Sequence, residues 1–409
     1  MTELSRFLTR DGRWIAGGFL LCFFSSFGQT FFIALSNAEI RAAFDLSHGD
    51  FGVLYMVATL GSAATLPFLG GLLDRHSIVK VAIGVMVMLA LACLALPLAG
   101  SIVFLVLSLY LLRLFGQGMM TEIAHTAIGK WFVASRGRAI SISTLGQHVG
   151  TAIFPFLFVA ASAVFGWRGA WMAGAAVMLA LALPLIGGLV RRERDPLTAE
   201  PLSPNKAPVR DWSRREVLLD PKFYAALIGV LAPPFIGTTI FFHQVYLTEL
   251  KGWPLEVFAL GFTVMSLATV ASTLVAGSLV DRYTSVRLLP SFLVPLGIAC
   301  FIAAWGTGVW AIFVFMALLG LSMGLSSTLV GSLWPELYGA AHLGAIRSIV
   351  ISSAVLATAV GPGITGYLID HDVPYESQLA AMGVYSLIAA VVMLGLSRRI
   401  VSQQVAHAH

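Results

Sequence analysis

The sequence predicts an all-α polytopic membrane protein, with twelve transmembrane helices in two pseudo-symmetric six-helix bundles. The first observation is composition. Of the 409 residues, 58% are hydrophobic and 11% are charged, whereas soluble domains carry about 25% charged residues. Soluble cores cannot bury this proportion of apolar surface, so lipid must surround most of the chain. The other two observations are twelve long apolar runs and an internal repeat.

Each apolar run approaches or exceeds the roughly 20 residues that a helix needs to cross a bilayer. The runs are continuous, whereas the strands of a membrane β-barrel alternate between apolar and polar residues. Lipid cannot satisfy an open backbone, which also favours helices. The predicted spans are 14–38, 51–73, 81–99, 102–127, 139–164, 168–190, 223–248, 255–280, 288–306, 309–333, 344–370 and 377–396.

Basic residues lie mainly on one side of these spans. Twelve spans place both termini on the same side, and 21 of the 25 lysines and arginines fall on it. Loops rich in lysine and arginine remain in the cytoplasm, so we expect cytoplasmic termini in a bacterial-type inner membrane. Although the net charge is +5, the charges lie between the spans instead of on one face. This distribution argues against a nucleic-acid partner.

The middle of the chain is polar. Residues 191–222 contain five prolines and charges of both signs, which is typical of a linker. We expect a cytoplasmic linker with a short surface helix near Arg214–Leu219. It separates an N-terminal six-helix bundle, residues 1–190, from a C-terminal bundle, residues 223–409.

The repeat lies at the same place in each half. The segment 70–80, after span 2, recurs as 277–287, after span 8, with a constant offset of 207 residues. An internal repeat of this kind indicates two related structural units. The shared residues include Gly70, Asp74 and Arg75 in the first copy and Gly277, Asp281 and Arg282 in the second.

These segments resemble the signature of the major facilitator superfamily, a Gly-x-Leu-x-Asp-Arg segment between helices 2 and 3 that is echoed between helices 8 and 9. Ser77 stands where a second glycine is usual in the signature. A second group of residues resembles the same family: Arg113, Gly116, Gly118, Trp131-Phe132 and Arg136-Gly137-Arg138-Ala139. The resemblance implies secondary transport of a small solute by rocking of two bundles around a central site.

The resemblance also implies a role for both repeated segments as a conformational latch that holds helices in the outward-facing state. Physically, Asp74 can accept hydrogen bonds from a helix N-terminus, while Arg75 can lie among cytoplasmic headgroups. The alternative is that these charges only fix the orientation of the chain in the membrane.

Two charged residues lie well inside the predicted spans, Arg113 and Glu122 of span 4. At 1.5 Å per residue Arg113 lies about 16 Å deep, and the resemblance places span 4 on the central cavity. A guanidinium there can bind a carboxylate with two hydrogen bonds; the alternative is a structural or coupling role. Glu122, nine residues on, falls on the opposite helix face. It is a candidate proton carrier, or a charge satisfied near the headgroups.

Other polar residues in the spans complete the candidate site. Histidine titrates near physiological pH, so His148 of span 5 could bind solute or couple its movement to protons. His243 and Gln244 of span 7, with Gln29 and Thr30 of span 1, supply neutral hydrogen-bonding groups. The alternative for each is a hydrogen bond that holds two helices together in lipid.

The chain contains neither a phosphate-binding loop nor a metal-ligand motif, so we expect no enzyme, no cofactor and no metal. We expect a monomer that moves a small organic anion such as a carboxylate, with protons as the candidate coupling ion. The Trp-Phe and Arg-Gly-Arg-Ala region resembles the monocarboxylate and oxalate/formate branch, although 257–280 lacks the arginine which that branch tends to have in span 8.

Two alternatives remain. One is drug/proton antiport, with efflux of hydrophobic or cationic compounds, which an aromatic wall on span 1 would suit. The other is a membrane sensor that binds a solute without moving it. The wall consists of Phe23, Phe24, Phe27, Phe31 and Phe32.

Overall fold

The computed structural model describes residues 3–70, 72–132, 136–191, 212–339 and 343–406, and all regular elements in these ranges are helices. The helices form two compact units. Unit 1 consists of Met1–Leu46 and Val53–Pro204, and unit 2 of Ser47–Gly52 and Asn205–His409. The predicted division at 1–190, 191–222 and 223–409 stays a prediction.

In the first half of the chain, the described residues form ten α-helices, interrupted by short 3₁₀ and π segments. The 3₁₀ segments are Ser25–Gly28 and Ala34–Ser36, and the π segments are Arg113–Met120 and Met178–Ala182. The α-helices are α1 Glu3–Phe24, α2 Thr30–Ile33, α3 Asn37–Phe44, α4 His48–Gly70, α5 Leu72–Arg75, α6 Ile78–Ala95, α7 Ile102–Leu112, α8 Thr121–Trp131, α9 Arg136–Val177 and α10 Leu183–Val190.

The described residues of the second half contain ten more, with a 3₁₀ segment at Leu289–Phe292. They are α11 Arg214–Leu219, α12 Pro221–Val230, α13 Ala232–Phe242, α14 Gln244–Lys251, α15 Leu255–Tyr283, α16 Ser285–Leu288, α17 Leu293–Trp305, α18 Trp310–Tyr338, α19 Leu343–Asp370 and α20 Tyr375–Ala406.

Ten helical stretches in the described residues are long and apolar enough to cross a membrane, and an eleventh is the pair Asp11–Gly28 and Thr30–Phe44, bent by 44°. One of the ten, Ala139–Val190, has 52 residues. At 1.5 Å per residue it would be about 78 Å long, more than twice the roughly 30 Å of bilayer hydrocarbon. Gly166, with φ 69° and ψ 165°, breaks it into two helices. The described helices therefore provide the twelve passes that the apolar runs predict.

Span 1 packs into the interior of unit 1 through its phenylalanines. Phe24, Phe27 and Phe32 are buried, and each of these rings lies within 6.2 Å of the ring of Phe154 in α9, measured between centroids. Phe32 also contacts Trp171, whose indole nitrogen donates to the Ser36 hydroxyl at 2.8 Å. The aromatic wall read from the sequence is therefore largely internal packing of unit 1.

Unit 2 relies on close approach of small residues. A Cβ on Gly320 of α18 would overlap the carbonyl oxygen of Met265 in α15, and one on Gly324 would overlap that of Thr269. Glycine at both positions lets the two backbones touch, as is common between helices in lipid. The long helices α15 and α18 therefore form a closely packed pair within this unit.

The end of the linker is anchored on unit 2. The predicted short helix is present as α11, and its N-terminus has a capping box between Ser213 and Glu216. Just before it, the backbone amide of Trp212 donates to the carbonyl oxygen of Tyr338 at 3.0 Å. The Tyr338 hydroxyl in turn donates to Asp220 at 3.1 Å. Residues 192–211 of the predicted linker lie outside the described residues.

Candidate functional site

Arg113 occupies a buried position in unit 1, with 4% of its surface exposed. It is the first residue of the π segment Arg113–Met120. In a π-helix the backbone bonds span five residues instead of four, and such segments are frequent at functional sites. Span 4 therefore departs from regular α-helical geometry at the position where its buried charge lies.

Two glycines bring span 1 against this π segment. A Cβ on Gly116 would lie 2.5 Å from the Cα of Gly28, and a Cβ on Gly28 would overlap the carbonyl oxygen of Leu112. Only glycine fits at these two positions, because backbone meets backbone. The contact lies at the break in span 1, where the 3₁₀ segment ends and Gln29 is extended, with φ −80° and ψ 148°. The break exposes main-chain and side-chain oxygens to Arg113.

The guanidinium of Arg113 is held by neutral groups. Its Nη1 donates to the carbonyl oxygen of Gly28 at 3.3 Å and to the hydroxyl of Thr30 at 3.1 Å. Its central carbon lies 5.4 Å from the ring centroid of Tyr55, in cation–π range. The Tyr55 hydroxyl donates to the Thr30 hydroxyl at 2.7 Å. Both acceptor positions of Thr30 are then used, so its own proton remains as a donor.

No carboxylate forms an ion pair with Arg113 in the part of the chain that the structure describes. Its Nε is buried and has no hydrogen-bond partner there. A charge at bilayer depth is costly unless it is compensated, and cation–π contact and neutral acceptors compensate it only partly. The site therefore combines a positive charge with two unused donors, Nε and the Thr30 hydroxyl.

Gln29 lies beside this group. It is buried, with 8% of its surface exposed, and its amide forms no hydrogen bond with the described residues. Of the residues predicted for the site, the structure thus brings Arg113 and Thr30 into contact, and Gln29 is next to Thr30 in the chain. Sequence reasoning missed Gly28 and Tyr55. Small residues in facing spans are a usable signal for Gly28, whereas nothing in the sequence distinguishes Tyr55 from a core aromatic.

Glu122 lies on α8, exposed, and accepts a hydrogen bond from the Thr126 hydroxyl at 3.4 Å. It forms no ion pair with Arg113 among the described residues. The prediction from the sequence that Arg113 and Glu122 lie on opposite faces of the helix assumes a turn of 100° per residue over the whole interval. The π segment turns by less than this at each residue, so helical phase does not separate the two side chains. They differ in exposure: Arg113 is buried and Glu122 is exposed.

His148 is half-buried on α9 and forms no hydrogen bond with the described residues. Its helix packs closely on α1: a Cβ on Gly146 would overlap the carbonyl of Phe19, and one on Gly150 would lie 2.7 Å from the carbonyl oxygen of Phe23. The structure places His148 on a helix that touches span 1, without a hydrogen bond to Arg113.

In unit 2, His243 and Gln244 are 1% and 0% exposed, respectively. His243 marks a break between α13 and α14, where its backbone is not helical. Its Nε2 lies 3.1 Å from the carbonyl oxygen of Pro362 in α19. Its ring also lies against Tyr375, with centroids 5.8 Å apart. This environment matches the alternative reading, a histidine that joins two helices.

The latch residues are only partly described. The side chains of Asp74, Arg75 and Asp281, and the surroundings of Gly70, lie outside the described residues. Arg282 is exposed and its guanidinium lies 5.2 Å from the ring centroid of Tyr283. A Cβ on Gly277 would meet nothing within 4 Å, so unit 2 itself imposes no need for glycine there. The latch stays a prediction.

The chain matches a family model described as the Major Facilitator Superfamily, over residues 18–262 and again over 235–407. Two human proteins are similar over most of their length. Monocarboxylate transporter 11 is 23% identical, with 92% of this chain and 81% of the relative covered. Monocarboxylate transporter 12 is also 23% identical, with 95% and 81% covered.

Solved structures share the fold. A nucleoside transporter, NupG, superimposes with a TM-score of 0.74 at 11% identity, covering 94% of this chain and 99% of its own. A bacterial homologue of the human lysosomal transporter Spinster, in an inward-facing and unoccupied conformation, gives a TM-score of 0.72 at 18% identity, covering 94% and 96%. These similarities confirm the predicted fold of twelve helices in two bundles.

Proposed function

Because this chain belongs to the major facilitator superfamily, we propose that it is a secondary transporter that moves a small organic anion, a carboxylate, across the membrane by alternating access. One observation carries the choice of an anion. Arg113 is a buried cation whose partners among the described residues, Gly28, Thr30 and Tyr55, are all neutral.

A carboxylate suits this arrangement in both charge and geometry. Its negative charge compensates the guanidinium, and its two oxygens can accept from two donors at once. Arg113 Nε is unpaired in the described residues, and the Thr30 hydroxyl retains a proton. An alcohol or a cation would leave the charge uncompensated. The site therefore favours an anion over neutral and cationic solutes.

Two further findings support the proposal. The human relatives named as monocarboxylate transporters 11 and 12 are similar to this chain over at least 92% of its length. The main sequence argument for efflux of hydrophobic compounds was the aromatic wall of span 1, and Phe24, Phe27 and Phe32 pack within unit 1 instead. Drug/proton antiport is therefore the weaker reading.

The finer assignments belong to the same proposal. Gln29 completes the site around Arg113, and His243 and Gln244 are its candidates in the second half of the chain. Protons are the proposed coupling ion, with His148 and Glu122 as candidate carriers. We further propose cytoplasmic termini, an inner-membrane location and function as a monomer, on the basis of the distribution of basic residues and a cavity that one chain can form.

Counterflow in proteoliposomes tests the function. Monocarboxylates, dicarboxylates, organic cations and neutral hydrophobic compounds are offered in turn to the native protein and to Arg113→Gln. We expect exchange of a carboxylate, reduced at least about tenfold in the variant, since hydrogen bonds to charged groups contribute about 1.5–3 kcal/mol. Thr30→Val, which preserves shape but removes the hydroxyl, should give a smaller reduction.

The matched control is Arg168→Gln. Arg168 is exposed, donates to the carbonyl oxygen of Pro97 at 3.2 Å and lies over Trp167, so its loss should leave exchange unchanged. Exchange of cations or neutral compounds alone, with Arg113→Gln equal to native protein, would instead support efflux. Stabilisation of the protein by a carboxylate without any exchange would support a sensor.

A further inference from the structure

A groove of about 350 Å³ opens on unit 1 beside the start of α6. Its walls come from the end of α4, from α5 and the turn after it, from α6 and from the π segment. Eight of its ten lining residues are apolar, and the other two are His76 and Lys80. Both polar residues lie at the end of the groove where α6 begins, so the groove is apolar along its length and basic at one end.

One face of α6 forms the floor of the groove. Lys80, Gly84 and Met88 follow each other at intervals of four residues and therefore lie along one stripe. Gly84 is exposed and leaves a gap in this stripe, since a Cβ there would meet nothing within 4 Å. From Lys80 to Met88 the stripe is about 12 Å long at 1.5 Å per residue. This is close to half of the roughly 30 Å hydrocarbon core, the depth of one leaflet.

The basic end can accept an anion. Lys80 is exposed, and its ammonium forms no ion pair within the described residues. It lies in the first turn of α6, an 18-residue helix whose N-cap is Ser77. The N-terminal end of a helix is electropositive, which adds to the charge of Lys80. The positive-inside asymmetry predicts that this end faces the cytoplasm.

We propose that this groove binds one anionic phospholipid of the cytoplasmic leaflet. The phosphate lies at Lys80 and His76, and an acyl chain follows Gly84 and Met88 to Phe115. The apolar length of the channel argues against a free phosphate ion as the ligand, because such an ion would contact only the basic end. A zwitterionic lipid such as phosphatidylcholine would fill the channel, but its quaternary ammonium offsets the charge of its phosphate, so Lys80 and His76 favour a lipid with net negative charge. Basic pockets between helices at the cytoplasmic side are suited to anionic headgroups.

The groove lies next to the π segment that carries Arg113. Phe115 and Met119 line the groove and also belong to the π segment that begins with Arg113. An acyl chain in the groove therefore packs against the segment that holds the buried guanidinium. Lipid binding itself does not depend on which solute is transported.

Native mass spectrometry of the purified, delipidated full chain tests the proposal, with dioleoylphosphatidylglycerol as the probe and dioleoylphosphatidylcholine as the neutral comparison. We expect one tightly bound phosphatidylglycerol per chain. Gly84→Leu should abolish it by filling the groove. Gly395→Leu is the matched control, because Gly395 is likewise an exposed glycine in a membrane helix with nothing within 4 Å of its Cβ.

The headgroup contact is tested separately. Lys80→Gln should weaken binding of phosphatidylglycerol about fivefold, the effect of one basic residue near an anionic surface, and weaken binding of the zwitterionic phosphatidylcholine less. Arg399→Gln, at an exposed arginine near the end of α20, should change neither. If Gly84→Leu does not fold, as judged by gel filtration and circular dichroism, the Lys80→Gln comparison decides alone.

Three results would overturn the proposal. One is equal binding of phosphatidylglycerol and phosphatidylcholine by the native protein. Another is undiminished binding by a folded Gly84→Leu or by Lys80→Gln. The third is complete displacement of the lipid by millimolar inorganic phosphate, which would show a simple anion site at the mouth.

Discussion

A helix begins within each copy of the repeated segment, α6 in the first and α16 in the second. The two helices begin in different ways. In the first copy, Ser77 is extended, with φ −64° and ψ 140°, and its own hydroxyl accepts a hydrogen bond from the amide of Lys80 at 3.4 Å. This is an ordinary N-cap, in which a residue next to the helix satisfies one of the unpaired amides of the first turn. The cap is local and needs no other part of unit 1.

In the second copy, Thr284 occupies the position equivalent to Ser77, but its backbone has φ 68° and ψ 152°. This region is adopted almost only by glycine and is unfavourable for a β-branched residue. The next amide, of Ser285, is bonded by a distant side chain: the two carboxylate oxygens of Glu336 in α18 lie 3.3 and 3.1 Å from it. The cap here joins two helices within unit 2.

The difference shows that similar sequences in the two halves can begin a helix with different N-terminal caps. The two segments agree at Gly, Asp and Arg, yet one helix start is relaxed and self-capped, while the other is strained and held by a carboxylate 51 residues away. Strain of this kind persists only where surrounding contacts enforce it. We infer that Glu336 supplies that contact, and substitutions at Glu336, Thr284 and Ser77 test the inference.

The largest effect is expected for Glu336→Ala. Removing a charged acceptor from a part-buried amide should lower the free energy of unfolding by about 2 kcal/mol. Glu336→Gln keeps a neutral acceptor and should lose about half as much. Denaturation in mixed detergent micelles, followed by circular dichroism, measures both. Glu256→Ala, at an exposed carboxylate in the first turn of α15, is the control, and a loss no greater than that of the control would contradict the cap.

A smaller effect of opposite sign is expected for Thr284→Gly. Glycine adopts this backbone conformation without strain, so the substitution should raise the free energy of unfolding by about 1 kcal/mol after the entropy of glycine is subtracted. The matched variant is Ser77→Gly, which should instead lower it by a few tenths of a kcal/mol, roughly the difference between serine and glycine at an N-cap. Equal signs at the two positions would show that the helix starts are alike.

Of the three principal substitutions, Glu336→Ala, Thr284→Gly and Ser77→Ala, the last is expected to have the smallest effect. Loss of the serine cap costs about 0.5–1 kcal/mol in exposed helices, and the 3.4 Å separation places this case near the lower figure. The same micelle titration measures it. A loss comparable to that of Glu336→Ala would mean that the first copy also depends on its cap for tertiary structure.

The sequence predicted the architecture because lipid imposes a simple rule. Continuous apolar runs must be helices, and the run 139–164 ends and 168–190 begins on either side of Gly166, where the structure breaks the helix. Hydropathy did not reveal the interruption of span 1 at Gln29 or the π segment after Arg113, since both lie inside apolar runs. These irregularities depend on contacts between spans, which no local pattern reports.

The candidate site was predicted in part for the same reason. A buried arginine stands out in an apolar helix, and Thr30 is a polar residue within the apolar run of span 1, so both could be proposed from the sequence. Tyr55 could not, because an aromatic residue in a span is ordinary until a guanidinium lies 5.4 Å from its ring. Glu336 was missed because its partner is a backbone amide, which every residue possesses.

The meeting of Gly28 and Gly116 has a consequence for how such a protein can change. The backbone contact between these glycines fixes where Arg113 lies beside the break in span 1, and Gly28, Thr30 and Tyr55 hold its guanidinium, so residues outside this small group have little influence on its position. Neighbouring residues can then be exchanged, by natural variation or by an engineer, to alter which solutes are accepted while the charge stays where it is. Mutations can therefore change the solute selectivity of the site without changing how its charge is anchored.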